Sequence, residues 1–242
     1  TVVLYQLWHL AGFHSRIKVR LRHLRPVLAE MKVIATTAAS GIAQLLIGTT
    51  SWLGLFKILA AFGSTAIAGY TISIRLVVFA LLPAWGLSNA GATLVGQNLG
   101  ANKPERAEQA VKIATRFNVI FLGLVGIVFV AFARPLVSVF SRDAEVLALG
   151  SSALWIVSLG FPIYAAGMCM SAAFNGAGDT WTPTKLNFFC FWLLQIPLAW
   201  VLAKPFALGP HGIFIAVPIG FALMAAWSAI LFRRGDWKRK KI

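Results

Sequence analysis

The stretch VIATTAASGIAQLLIGTTSWLGLF, residues 33–56, decides how this chain folds. It contains no Asp, Glu, Lys, Arg or His. A helix of about 20 apolar residues crosses the hydrocarbon core of a bilayer, and this run is long enough to do so without interruption. Similar runs recur toward the C-terminus. Residues 58–102 hold a single charge, Arg75, and predict a long helix over 64–98 with its kink at Pro83. Residues 117–133 predict a third span that starts earlier, near Glu108. The charge-free run 146–178 predicts a fourth, written as one long helix. Residues 186–203 and 211–232 complete a six-helix transmembrane bundle, all-α and integral to the membrane.

Composition agrees. Of 242 residues, 59% are hydrophobic and 12% charged, about half the charged share of a soluble domain. Mean hydropathy is +0.79. A net charge of +15 invites a nucleic-acid reading, but the basic residues sit in short clusters between long uncharged runs. That is the pattern of membrane-orienting charge, and no nucleic-acid partner is expected.

With six spans, one side of the bilayer receives Lys57, Arg134, Arg142 and Lys204. Arg75 lies within a span. Every other lysine and arginine falls on the opposite side, including the cluster from Arg16 to Lys32 and the ending Arg233 to Lys241. The positive-inside rule then places both ends of the lobe in the cytoplasm of a plasma (bacterial inner) membrane protein.

Four segments follow. Residues 1–10 are expected to end a preceding transmembrane helix whose start is missing. Residues 11–32 form a basic amphipathic linker on the cytoplasmic surface, drawn to membrane lipids. As a helix they put Ile17, Leu21, Leu24 and Leu28 on one face; the alternation R-I-K-V-R-L-R also suits an extended linker. Residues 33–233 form the six-helix lobe, and 234–242 a basic cytoplasmic tail.

Chemistry-bearing residues are few. The acids Glu30, Glu105, Glu108, Asp143, Glu145, Asp179 and Asp236 all sit at span ends or in loops. An ion-coupled transporter needs a carboxylate inside the membrane, and this chain offers none, nor a metal-ligand cluster. Cys169 and Cys190 read as packing thiols. No hydrolase, zinc-protease or phosphate-loop motif appears, and no enzyme is expected. Arg75 lies roughly 16 Å into its helix; it faces a cavity or snorkels outward. Gln44, Asn187 and Gln195 are polar groups in apolar spans, bonded across helices or lining a substrate path. Met168 and Met170 form an adaptable surface or fill core space.

Two turns are rich in small and amide residues. In GLSNAGATLVGQNLGANKPER (86–106), Gly100 is expected in the left-handed position and Pro104 at the start of the next helix. Asn89 and Gln97 are possible cavity donors there, or simply parts of a tight turn. In FNGAGDTWTPT (174–184), Asn175, Gly176 and Gly178 end one helix. Asp179 or Thr180 caps the next, with Pro183 in its first turn.

The segments ATLVGQNLGANKPERAEQA (92–110), FNGAGDTWTPTKLNFFCFWLLQIPLAWVL (174–202) and LFRRGDWKRKKI (231–242) resemble multidrug and toxic compound extrusion (MATE) transporters. The resemblance covers nearly the whole chain and corresponds to the family's C-terminal lobe. It implies one lobe of a two-lobe, twelve-helix transporter that exports small organic, often cationic, substrates in exchange for Na⁺ or H⁺. Some members hold coupling acids on the first and fourth helices of this lobe. Here uncharged residues around Ile47 and Gly48 occupy the first, and none lies between Glu145 and Asp179 on the fourth. The coupling ion is therefore expected in the missing N-terminal lobe, and no other cofactor is implied. Two alternatives share the architecture: a lipid or lipid-linked sugar flippase, and a non-transporting half-protein scaffold.

Overall fold

The computed structural model describes residues 27–239. Segment 1–10, nearly all of the linker 11–32 and the last tail residues 240–242 lie outside them. The chain divides into two units, residues 1–39 and 40–242. The division falls within helix α1 (Leu28–Leu59). In the first unit, the opening of α1 is exposed over 34–39, and Thr36 Oγ1 donates to the Lys32 carbonyl at 3.0 Å.

The second unit is helical throughout the described residues. A 3-10 turn (Ala60–Phe62) and Gly63, at φ 94°, separate α1 from α2 (Ser64–Gly100). Then come α3 (Pro104–Ala131), the short α4 (Ala133–Ser138), α5 (Ala144–Leu159) and α6 (Phe161–Gly176). A composite span follows: α7 (Trp181–Asn187), a π-helical stretch (Phe188–Gln195) and α8 (Ile196–Ala203). Helix α9 (Pro210–Arg234) and a 3-10 turn (Asp236–Arg239) end the fold. Among the described residues five stretches are long and apolar enough to cross a membrane, and the α5–α6 pair supplies a sixth.

Two spans differ from their sequence reading. The run 146–178 is two helices bent by 52°, not one. Pro162 has no N–H to give the Ser158 carbonyl one turn back, and its ring crowds that turn. The corner residue, Gly160, sits against α9, where an added Cβ would lie 2.8 Å from Pro218 Cβ. The fifth span starts earlier, at Trp181, and widens into a π-helix before Pro197. Pro197 cannot donate an α-type bond to Leu193, which lies inside that stretch. In α2, Pro83 sits within a continuous helix.

The two small-residue turns share one geometry. Gly100 is not in the left-handed region; α2 runs through it, and Asn102 takes that conformation at φ 55°. Asn102 N donates to Leu99 O and Lys103 N to Asn98 O, the paired bonds of a Schellman end. Asn tolerates this backbone better than other side chains do, so an amide replaces the expected glycine. After α6 the same pair recurs: Gly178 N to Asn175 O and Asp179 N to Phe174 O, with Gly178 at φ 77°.

Two cores hold the bundle. The larger joins α2, α3, α5, α6 and α9 around Tyr70, Leu122, Leu154, Phe161 and Phe214, with Leu55 and Leu59 of α1. At its heart Gly69 meets Gly150 of α5 so closely that a Cβ on Gly69 would lie 2.8 Å from the Gly150 nitrogen. Ser73 Oγ lies 2.6 Å from the Gly150 carbonyl and donates to it across the seam. Small residues let helices approach in lipid, where no hydrophobic drive pulls them together. The smaller core gathers Val95, Leu99, Val111, Phe174, Phe232 and Trp237. Trp237, which belongs to the segment read as a tail, is 1% exposed and stacks on Phe232 at 5.0 Å. Its indole N–H donates to the Phe232 carbonyl at 3.1 Å. Next to it, Lys238 pairs with Glu108 of α3, which also holds Lys112 at 2.6 Å.

Candidate functional site: an uncharged cleft beside α1

Helix α1 is held to the rest of the lobe by its last turns and by side-chain hydrogen bonds. Ser51 Oγ donates to the Phe191 carbonyl in the π-helical stretch at 3.3 Å. In return Trp192 Nε1 donates to the Ile47 carbonyl at 3.3 Å and to Thr50 Oγ1 at 3.2 Å. Nearer the turn between α6 and α7, Gln44 and Asn175 exchange amide hydrogen bonds, Nε2 to Oδ1 and Nδ2 to Oε1, both 3.3 Å. Gln44 Nε2 also donates to the Thr180 carbonyl at 3.0 Å.

Between these ties α1 leaves a cleft of about 570 Å³. Gln44, Trp52 and Phe56 line it from α1, and Trp85, Ser88 and Asn89 from α2. Helix α6 contributes Tyr164, Met168, Ser171 and Asn175. Asn187, Phe191 and Gln195 come from the composite span, and Phe221 and Met224 from α9. Among the described residues, the lining includes no Asp, Glu, Lys, Arg or His. Tyr164 and Phe221 stack at 4.1 Å and make an aromatic wall. Ser88 Oγ is spent on the Met168 carbonyl at 3.1 Å.

Five candidates read from the sequence therefore meet at one place: Gln44, Asn89, Met168, Asn187 and Gln195. Two do not. Arg75 and Gln97 are exposed on α2 and outside the lining. Among the described residues Arg75 has no ion-pair partner. Met170 packs in the smaller core instead. Asn175, named as a turn residue, is also a cleft residue through its bond to Gln44. Asp179 accepts from the Thr182 N–H at 3.2 Å and the Thr182 hydroxyl at 2.7 Å, and Pro183 lies in the first turn of α7. Pro104 opens α3. Cys169 and Cys190 are both free and buried; Cys169 Sγ accepts from Asn118 Nδ2 at 3.3 Å.

The aromatic residues of the wall escaped the sequence reading. In a chain where apolar residues face lipid, core and cavity alike, an aromatic side chain carries no local sign of which it faces. The usable signal was the spacing Asn187, Phe191, Gln195 on one span, with two amides flanking an aromatic.

The MatE family profile matches residues 38–201. Among curated proteins, the chain is 27% identical over 194 residues to a probable multidrug resistance protein NorM of Thermotoga maritima, covering 80% of this chain and 42% of the relative. It is 29% identical over 170 residues to a FAD transporter of Shewanella oneidensis, covering 70% of this chain and 37% of that one. Among solved structures, a MATE P26A mutant superposes with TM-score 0.89 at 20% identity, over 99% of this chain and 54% of the other. The chain thus spans less than half the length of these curated relatives and about half of that structure. On the family match over most of its length, with the six-span fold and the superposition, this chain belongs to the MATE family of membrane transporters.

Proposed function

We propose that this chain works as the C-terminal lobe of an efflux antiporter that exports small organic compounds across a bacterial inner membrane. The observation that carries the reading is the uncharged cleft of about 570 Å³, walled by aromatic and methionine side chains with a few amides. Such a lining suits varied organic molecules better than one charged metabolite. Relatives named for multidrug resistance support it.

In this reading the cleft opens toward a preceding lobe, and the two lobes rock about the substrate in alternating access. The exposed stripe Arg75, Phe79, Leu82, Gly86, Asn89, Thr93 and Gln97 repeats at helical spacing along α2. It is proposed to face that lobe. No carboxylate lines the cleft, so the Na⁺ or H⁺ that drives export is placed on the partner lobe. The one-sided basic residues support a cytoplasmic position for both ends of the lobe. A flippase of the same architecture needs cationic side chains for anionic headgroups, and the cleft has none.

The test is export of ethidium from cells that lack their own efflux pumps and express the full-length protein. Energy-dependent dye loss above the vector control is expected. Equal loss from both, with the protein present in the membrane, would overturn the reading.

A further inference from the structure

The cleft's unpaired polar groups point to the ligand it accepts. Gln44 and Asn175 satisfy each other, and Ser51 and Ser88 are spent on backbone carbonyls. Among the described residues, the side-chain amides of Asn89, Asn187 and Gln195 make no hydrogen bond, although all three line the cleft. Asn187 Oδ1 is fully buried without a partner. Gln195 is 4% exposed overall. A buried amide with no partner costs free energy comparable to a lost hydrogen bond, so Asn187 and Gln195 stand to gain from a ligand that pairs with them, while Asn89 is exposed.

Asn187 directly precedes the π-helical stretch and Gln195 ends it, with Phe191 midway and also in the lining. Departures of this kind from α-helical geometry recur at functional sites. The ridge offers an aromatic face between two groups that each both donate and accept. Asn89 faces the same space from α2.

We infer that the ridge Asn187–Phe191–Gln195 is a recognition site for an uncharged, planar aromatic ligand bearing a hydrogen-bonding group such as an amine or amide. This rests on the substrate-path reading above and narrows it. A carboxylate or phosphate would have to shed its water in a cleft with no cation to receive it. A delocalised cation fares better, because ring faces attract it, but it finds no counter-charge among the described residues that line the cleft. The ranking is neutral donor-bearing aromatic first, delocalised cation second and anion last.

The experiment uses the full-length protein in lipid nanodiscs and fluorescence titration with three coumarins: 7-amino-4-methylcoumarin, 4-methylcoumarin without the amine, and an anionic coumarin-3-carboxylate. The aminocoumarin is expected to bind about tenfold more tightly than the amine-free analogue, the worth of one neutral hydrogen bond, and the carboxylate more weakly than either. Asn187→Leu and Gln195→Leu should each bring the affinity ratio of the aminocoumarin to 4-methylcoumarin down toward one. Asn89→Ala, at an exposed position that cannot disturb the core, is the third variant; unchanged elution and thermal midpoint verify that each variant folds. Equal binding of carboxylate and aminocoumarin, no binding of any coumarin, or an amine preference intact in all three variants would overturn the inference. Dye export by cells, measured separately, distinguishes the two readings. Export with no amine preference sinks this site alone. An amine preference without export leaves the site and removes the transport reading.

Discussion

Gly176 lies where α6 meets Ala92 of α2, and an added Cβ would fall 2.2 Å from the Ala92 carbonyl oxygen. That atom is backbone and cannot swing aside. Gly176→Ala should therefore push the helices apart and cost about 1–3 kcal/mol, read as a lower thermal midpoint of the purified protein. Gly123→Ala is the comparison: its nearest neighbour would be Pro162 Cγ at 3.9 Å, an ordinary contact, and its midpoint should stay near the parent value. Arg75 gives a second prediction at this scale. If α2's exposed stripe faces the partner lobe, Arg75→Ala lowers dye export at equal expression; unchanged export would remove Arg75 from the path. Residue identity foretold part of this. An amide inside an apolar span is conspicuous, so Gln44, Asn187 and Gln195 stood out. The requirement for glycine at 176 was not legible, because it depends on Ala92, more than eighty positions away in sequence.

Helix ends and bends show the same division between local and distant causes. Charge-free runs marked every span, because the bilayer penalises charge wherever the partners lie. The α5–α6 corner was missed although Gly160 and Pro162 stood in plain view. A count of charges registers where a span lies and not whether it is straight. The basic ending was misjudged in a different way: its lysines and arginines hide Trp237, whose burial depends on a pocket built from four other elements. Trp237→Ala should cost about 3–5 kcal/mol and lower the thermal midpoint sharply. Lys238→Ala should cost well under 1 kcal/mol, since partly exposed ion pairs contribute little. A comparable loss from both would mean that charge, not the indole, fastens the ending. Helix α1 gives a prediction of its own. Residues 41–48 carry few buried apolar contacts and rely on side-chain hydrogen bonds, so their amides should exchange with deuterium faster than those of 213–221 in α9, which is buried along most of that stretch.

For the whole lobe, six apolar spans and one-sided basic charge were readable from sequence, and they sufficed for the architecture. The cleft was not, because a cavity is the volume left between elements, and composition does not report it. Its absence of charge separates two jobs that a transporter must do. In the proposed function, organic cargo would meet rings, sulfur and amides in this lobe, and the driving ion a carboxylate elsewhere. Replacing Gln44 by Glu places a carboxylate in the cleft, beside Asn175 and the Thr180 carbonyl. That variant should add a pH dependence to dye binding, through protonation of the new acid, beyond any that the parent shows; identical pH profiles for both proteins would overturn this expectation.

The π-helical stretch has a consequence for how this lobe tolerates changes in length. A π-helix fits more residues into each turn than an α-helix does, so 188–195 is a place where the chain stores slack. Losing one residue there lets the backbone relax to the tighter winding while the helices on either side keep their neighbours. The same deletion in α9 would rotate every later side chain onto a new face. In a family whose members diverge widely in sequence, insertions and deletions within spans should then collect at this stretch. The residues that meet the ligand would be retuned by length as well as by substitution.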